Sequence, residues 1–331
     1  MLEPRRLRRT PPFLAALFIA GLFLGSPATA QDQPSCAVPP PLPSVIDVRR
    51  PDQAARPGSE EFDQELSDYQ DSVRGVRRFL SFVAQASDAA VAAPDGAVVD
   101  CLGQAFQREL RQRRLLDKTS AMQSGYEQHW ALASLSLAAF KLQRAGKPLP
   151  APALDWLVQI AHQVMKFHDQ HGQLNNHVLW AALGVGTTGY LSGQADLVQW
   201  ANTKVSLSLA TALPDGILPR ELSRGAKASH YHFFAAQPLM LYADIRTCFG
   251  DPMPEPERAT IARVEGVLRH IIADPQWLAA RAGARQNSVG NVVWLDALES
   301  GRVPASVLNS KGSSRLGGRL SNLVAALSCA R

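Results

Sequence analysis

Two stretches of the chain hold residues whose types and spacing could do chemistry. The first is Asn175-Asn176-His177-Val178-Leu179-Trp180. The second lies forty-five residues beyond Asn176 and runs Glu221-Leu222-Ser223-Arg224, closing on Ser229-His230-Tyr231-His232. Together they offer an amide, an imidazole, a guanidinium and a phenol. The amide and the planar guanidinium can neutralise a carboxylate. The imidazole and the phenol can take and return a proton. A carbon next to a carboxylate gives up its proton once that carboxylate is neutralised, so the set suits proton abstraction from an acidic sugar.

A helix starting near Asn175 would put Asn176 and Trp180 one turn apart on one face. Asn176 and His177 would then sit at its N-terminus, where free N–H groups and the dipole favour negative charge and a neutral imidazole. Taken alone, the stretch is better explained by a capping Asn beside a core His and Trp. Arg224 and Tyr231 share a face if both are helical. If Gly225 ends a loop, Arg224 can instead fold back over the start of the next helix. Taken alone, Arg224 reads as a surface cation and Tyr231 as a core residue with a wet hydroxyl. His168 and His171, and His230 and His232, are close pairs, but neither has the His-Glu-x-x-His spacing, and no cysteine pair accompanies them. No glycine-rich phosphate loop, Gly-x-Ser-x-Gly elbow or dinucleotide fingerprint occurs. We therefore expect neither a metal nor an organic cofactor.

The elements that must position these residues read as helices. Ser59-Glu60-Glu61 is a cap followed by acids, and Phe62, Leu66, Tyr69, Val73, Val76 and Leu80 recur at helical steps until Pro94-Asp95-Gly96. Further helices are predicted over about 98–116, 126–143 and 152–167, from the Asn-His stretch to Gly193, and over 196–213. They continue over 229–249 with a kink at Pro238, then 255–272, 275–284 and 316–327. Alternating strand patterns are nearly absent, which predicts an all-α fold of antiparallel helical hairpins.

Residues 1–30 read as an export signal: Arg5, Arg6, Arg8 and Arg9, an apolar run from Phe13 to Gly25, then Ala28-Thr29-Ala30. The run is too short for a spanning helix, so no membrane insertion is expected and a periplasmic protein is. Residues 31–58 form an extended Pro-rich segment, and 59–331 a single domain. The signal holds four arginines and one acid, which leaves 30 basic and 28 acidic residues. No basic stripe interleaved with aromatics suggests nucleic acid; a polyanion held in one cleft, by a monomer, fits better. Cys36, Cys101, Cys248 and Cys329 in an oxidising compartment suggest two disulfides, with three pairings open.

The motifs themselves carry a resemblance. Asn175-Asn176-His177-Val178-Leu179-Trp180-Ala181-Ala182 resembles the Asn-Asn-His-x-x-Trp-Ala-Ala signature of the alginate lyases of polysaccharide lyase family 5. So do Asp196-Leu197-Val198-Gln199-Trp200-Ala201, the run from Gly216 to Arg224 with Tyr231-His232 after it, Ser314-Arg315-Leu316-Gly317-Gly318, and Ser35-Cys36-Ala37-Val38-Pro39-Pro40-Pro41. The resemblance implies an incomplete (α/α) toroid with a central cleft. It implies β-elimination on a polyuronate, alginate or polymannuronate first, with Asn176, His177, Arg224 and Tyr231 as the catalytic set. Trp180 and Arg315 would bind sugar, as would Tyr126 and Gln128. Arg49, in an Arg49-Arg50-Pro51 that replaces the family's Lys-Tyr, would close over the chain as part of a lid. The resemblance also favours pairing Cys36 with Cys101, leaving Cys248 for Cys329. The alternatives are a lyase for another polyuronate such as polyglucuronate, and a non-catalytic periplasmic polyuronate-binding protein.

Overall fold

The architecture follows from two helices that are apolar on nearly every side. In the computed structural model, residues 41–42, 48, 59–92, 96–116, 121–290, 292–304 and 312–330 are described. One of the two helices is α5 (Asn176–Ser192), buried from Val178 through Gly189. The other is α3 (Met122–Arg144), buried from Ala131 through Leu142. A helix with no polar face has to be surrounded. α3 gives Leu132 and Leu135 to one core and Leu137 and Phe140 to a second, and α5 divides its residues between the same two. Gly184 lets them approach, since a Cβ there would lie 2.8 Å from the Ala133 backbone nitrogen.

Helices in sequence order enclose this pair. α1 (Glu60–Ala92), α2 (Ala97–Arg111) and α4 (Ala151–His171) build the first core around Phe79, Phe106 and Trp156. α6 (Ala195–Leu209), the short α7 (Pro219–Leu222), α8 (Ala228–Cys248) and α9 (Glu255–Ala273) build the second. α10 (Ala279–Ala282), α11 (Val293–Ser300) and α12 (Leu320–Ala326) complete it. Short connections such as Gly193-Gln194 make neighbours antiparallel, and Gly193 takes the left-handed conformation at φ 70° that ends α5. The result is the expected incomplete (α/α) toroid, with no strand among the described residues.

Several boundaries differ from the sequence reading. The helix expected over 275–284 shrinks to α10, and α7 and α11 were not foreseen. α12 starts at Leu320 rather than Leu316 because Gly317 and Gly318 adopt φ 65° and 135°, which no helix accommodates. α8 runs through Pro238. The proline has no N–H for the Phe234 carbonyl one turn back, and the Trp180 indole Nε1 donates to that carbonyl instead, at 3.0 Å.

Cys248 and Cys329 are bonded, as the resemblance implied. Cys101 is also disulfide-bonded; Cys36, its expected partner, and Arg49 and Arg50 lie outside the described residues. Of the Pro-rich segment, Leu42 and Val48 are buried. Their N–H groups donate to Glu109 Oε2 and Ser124 Oγ, which ties them to α2 and α3. No described helix is long and apolar enough to cross a membrane.

Candidate active site

A cleft of about 840 Å³ opens between α1, α3, the starts of α5 and α8, and the loop before α12. Four parts of the site can be traced to particular residues.

The first is the start of α5. Asn175 caps the helix, its Oδ1 accepting the His177 N–H at 3.0 Å. This places His177 on the cleft lining. Its ring stacks on that of Tyr126 from α3, with centroids 3.6 Å apart and planes 9° from parallel. Behind the stack, His129 meets the His177 ring edge-on at 5.6 Å. His129 and His168 are both buried, with Nδ1 and Nε2 3.2 Å apart. Burial lowers both pKa values, that of His168 to about 3. Both rings are thus neutral; His129 packs against His177, and His168 packs behind His129. Among the described residues no group of three His, Cys, Asp or Glu could hold a metal ion.

The second wall is the α7–α8 connection. Gly225, at φ 58°, turns the chain, and Arg224 folds back so that its guanidinium carbon sits 4.8 Å above the Tyr231 ring. Gln286 fastens the start of α8 by accepting from Ser229 N and donating to the Gly225 carbonyl. Tyr231 and His230 both line the cleft. His232 faces away; its Nε2 accepts the Leu218 N–H and its Nδ1 donates to the Ala228 carbonyl.

The third element sits behind these two and joins them. Glu221 is 1% exposed. Its carboxylate accepts the Asn176 backbone N–H at 2.7 Å and the Asn176 amide at 3.0 and 3.2 Å, and it lies 3.8 Å from Arg224 Nε. Burial raises its pKa, while the Asn176 bonds and the Arg224 charge oppose the rise. Asn176 is itself fully buried, and its Oδ1 accepts no hydrogen bond among the described residues.

The fourth wall is the loop Ser313–Gly318. Arg315 projects from it into a cage of Trp130, Phe234 and Trp180, with centroids 5.1, 5.0 and 5.7 Å from its guanidinium carbon. Burial lowers its pKa, and the charges of Glu127 and Tyr69 push the other way; a guanidinium stays protonated in proteins. The loop is held from below. Ser134 Oγ donates to the Ser314 carbonyl and Ser87 Oγ to the Gly317 carbonyl. Asp88 accepts from Lys141 Nζ, Asn322 Nδ2 and the Arg319 N–H. Gly317 touches α3 so closely that a Cβ would lie 2.7 Å from the Ala138 nitrogen.

The structure thus brings His177, Tyr231, Tyr126 and Arg315 to one cleft, with Arg224 against Tyr231 and Asn176 behind. Two expected sugar contacts are corrected. Trp180 is 0% exposed and props up Phe234 and Arg315 from beneath. Gln128 is 2% exposed and donates to the Leu115 carbonyl at 2.6 Å, which ties α3 to the turn after α2. Cleft residues given no site role from sequence include Arg77, Trp130 and Trp294, and His230, weighed there only as a metal ligand, lines the cleft as well. Glu221 was also passed over, although its three-residue spacing from Arg224 was a usable signal.

A helical toroid with an arginine-bearing cleft has the architecture of a polysaccharide lyase. The family model for alginate lyase matches residues 104–278, over half of the chain. A polysaccharide lyase of Stenotrophomonas maltophilia (strain K279a) is 26% identical over 267 residues, covering 78% of this chain and 80% of that protein. An alginate lyase of Azotobacter chroococcum mcd 1 is 29% identical over 167 residues, covering 48% and 45%. One from Pseudomonas aeruginosa (strain LESB58) is 28% identical over 169 residues, covering 48% and 46%. The matched part thus spans just under half the length of these two alginate lyases. Among solved structures, alginate lyase A1-III complexed with tetrasaccharide superposes with a TM-score of 0.70 at 18% identity, covering 90% of both chains. Alginate lyase A1-III from Sphingomonas species A1 gives 0.67 at 16%, covering 87% and 86%; at these identities the likeness speaks for the fold. The chain belongs to the alginate lyase family.

Proposed function

We propose that this lyase cleaves alginate within its mannuronate blocks by β-elimination, leaving an unsaturated uronate at the new chain end. The observation that carries the reading is the convergence of His177, Tyr231 and Arg315 on one cleft, with Arg224 held against Tyr231. The uronate carboxylate is neutralised by Arg224 and by His177 as donor. The Tyr231 oxygen, as phenolate, removes H5. The C5–H electron pair forms the C4–C5 double bond, the C4–O4 bond breaks, and O4 takes the proton back from the phenol. In mannuronate H5 and O4 lie on one ring face, so a single residue serves both steps. For the epimer with H5 on the other face, His177 is the base. Asn176 is buried against Glu221 and in this reading sets the first turn of α5; its amide reaches a carboxylate only by leaving Glu221. Arg315 and Tyr126 hold neighbouring sugars, and Arg49 is proposed to close over them.

Purified protein mixed with polymannuronate, polyguluronate, polyglucuronate and pectate, followed by the absorbance of unsaturated uronate, tests this. The largest rise is expected with polymannuronate. Binding without a rise on any of them would instead support the non-catalytic polyuronate-binding protein. We propose that the protein acts as a monomer in the periplasm, a reading supported by the export-type leader and the disulfides. Recovery of full-length protein with residues 1–30 attached in the cytoplasm would overturn the location.

A further inference from the structure

Helix α1 changes sign along its length. Its first half carries Glu60, Glu61, Asp63, Glu65, Asp68 and Asp71; then come Arg74, Arg77 and Arg78, with no further acid before Asp88. Arg77 and Ser81 line the cleft, and both also line a second, shallower groove of about 530 Å³ on the outer face of the helix. The two depressions therefore adjoin at Arg77 and Ser81. The other residues lining the second groove are Gln70, Arg74, Arg78, Phe82 and Gln85, none of them acidic.

These residues suit an acidic sugar chain. Arg74 and Arg78 are four apart, on one face and one turn of about 5.4 Å along the axis, so they present two cations in line. Phe82 offers a ring to the C–H face of a sugar, and Gln85 an amide to its hydroxyls. Arg78 makes no ion pair among the described residues. Arg74 pairs only with Asp71, and both side chains are 58% exposed. Exposed pairs of this kind hold their partners weakly, so a polymer carboxylate can displace Asp71. The acidic first half of α1 repels a polyanion and leaves it one direction along the helix.

We propose that the groove beside Arg74 and Arg78 is a remote subsite that holds the polyuronate chain where it leaves the cleft. The inference rests on the polyuronate reading above and adds chain length as a determinant of affinity. Both arginines are exposed helix positions, and alanine is the best helix former, so the double variant Arg74→Ala/Arg78→Ala is expected to melt like the parent.

The test compares KM for long polymannuronate and for a tetrasaccharide at low and high salt. In the parent, KM should fall as the chain lengthens, and salt should weaken that fall. In the double alanine variant KM for the long polymer should rise about two- to thirtyfold, the range of two exposed ion pairs, with a shallower salt dependence. Arg74→Lys/Arg78→Lys should recover most of the loss. A long-polymer KM equal to the parent's, or no fall in the parent's KM with chain length, overturns the subsite and leaves the lyase reading standing. A parent that neither binds nor cleaves any polyuronate overturns both.

Discussion

Asp88→Ala is the perturbation that best tests how the Arg315 loop is held. The Lys141 side chain is 0% exposed and Asp88 10%, so the substitution strands a buried ammonium. Breaking a buried pair from one side costs about 3–5 kcal/mol, because the remaining charge stays desolvated. The Arg319 N–H and the Asn322 amide also lose their acceptor; the former is exposed and water replaces Asp88 there, so it adds little. We expect the folded state to lose about 3–5 kcal/mol at neutral pH, at the upper end for a single substitution. Burial already lowers the Lys141 pKa, and only Asp88 raises it. Without Asp88 the folded-state value falls further below that of the unfolded chain. Between the two values the unfolded state binds more protons, so stability rises with pH, and the deficit of the variant should shrink from neutral pH towards pH 10. Urea unfolding of parent and variant across that range measures it. Asp88→Asn, which retains an acceptor without the charge, should fall between them. A deficit under about 1 kcal/mol, or one independent of pH, would refute the account of Lys141 as a buried charge needing its partner. In the folded fraction, KM should rise more than kcat falls, since Arg315 binds substrate rather than reacting.

Three further outcomes follow from the same geometry. Tyr231→Phe removes the reacting oxygen but leaves the ring under Arg224; kcat should drop about 10²–10⁴-fold with substrate still bound, and retention of more than about a tenth of the parent rate would move the base to His177. Glu221→Gln removes the negative charge between Asn176 and Arg224 and offers an NH₂ where the Asn176 amide now donates. The loss in kcat/KM should be about tenfold or more, equivalent to one misplaced buried hydrogen bond; a folded variant with parental kcat/KM would show that Glu221 positions nothing. Cys248→Ser opens a cross-link between residues 81 apart. Chain entropy then predicts a loss of about 4–5 kcal/mol by urea unfolding under oxidising conditions, and a change below about 1 kcal/mol would put the stabilising work elsewhere.

Helix periodicity made the antiparallel helical hairpins legible, because long helices with one buried face repeat their apolar residues for many turns; the toroid came from the motif resemblance. α7 and α11 were missed because four or eight residues hold too few turns to show a period. Motif order placed His177, Tyr231 and Arg315 together, but spacing says only which face a residue occupies, and not what lies opposite. Trp180 illustrates this. It shares the face of Asn176, yet that face meets α8, and its indole is used up by the carbonyl that Pro238 leaves free. Gln128 failed in the same way, since its partner is a backbone carbonyl that no pattern announces. Glu221 stood in the quoted stretch, and its importance emerges only when Asn176, forty-five residues earlier, arrives beside it.

The place of Arg315 in the chain has a consequence for the order in which the protein is made. Trp130, Trp180 and Phe234 all precede it by more than eighty residues, and their rings form a cup that its guanidinium fills. While the chain is emerging N-terminus first, that cup faces water with nothing to cover it. The loop that closes it needs α1 and α3 already in place, because Ser87, Asp88, Ser134 and Lys141 are its anchors. A polypeptide that stopped before Ser313 would therefore carry His177, Arg224 and Tyr231 but would leave the aromatic cup uncovered and lack the guanidinium that fills it. The guanidinium proposed to hold a neighbouring sugar and the cover over the aromatic cup thus arrive in the same late step.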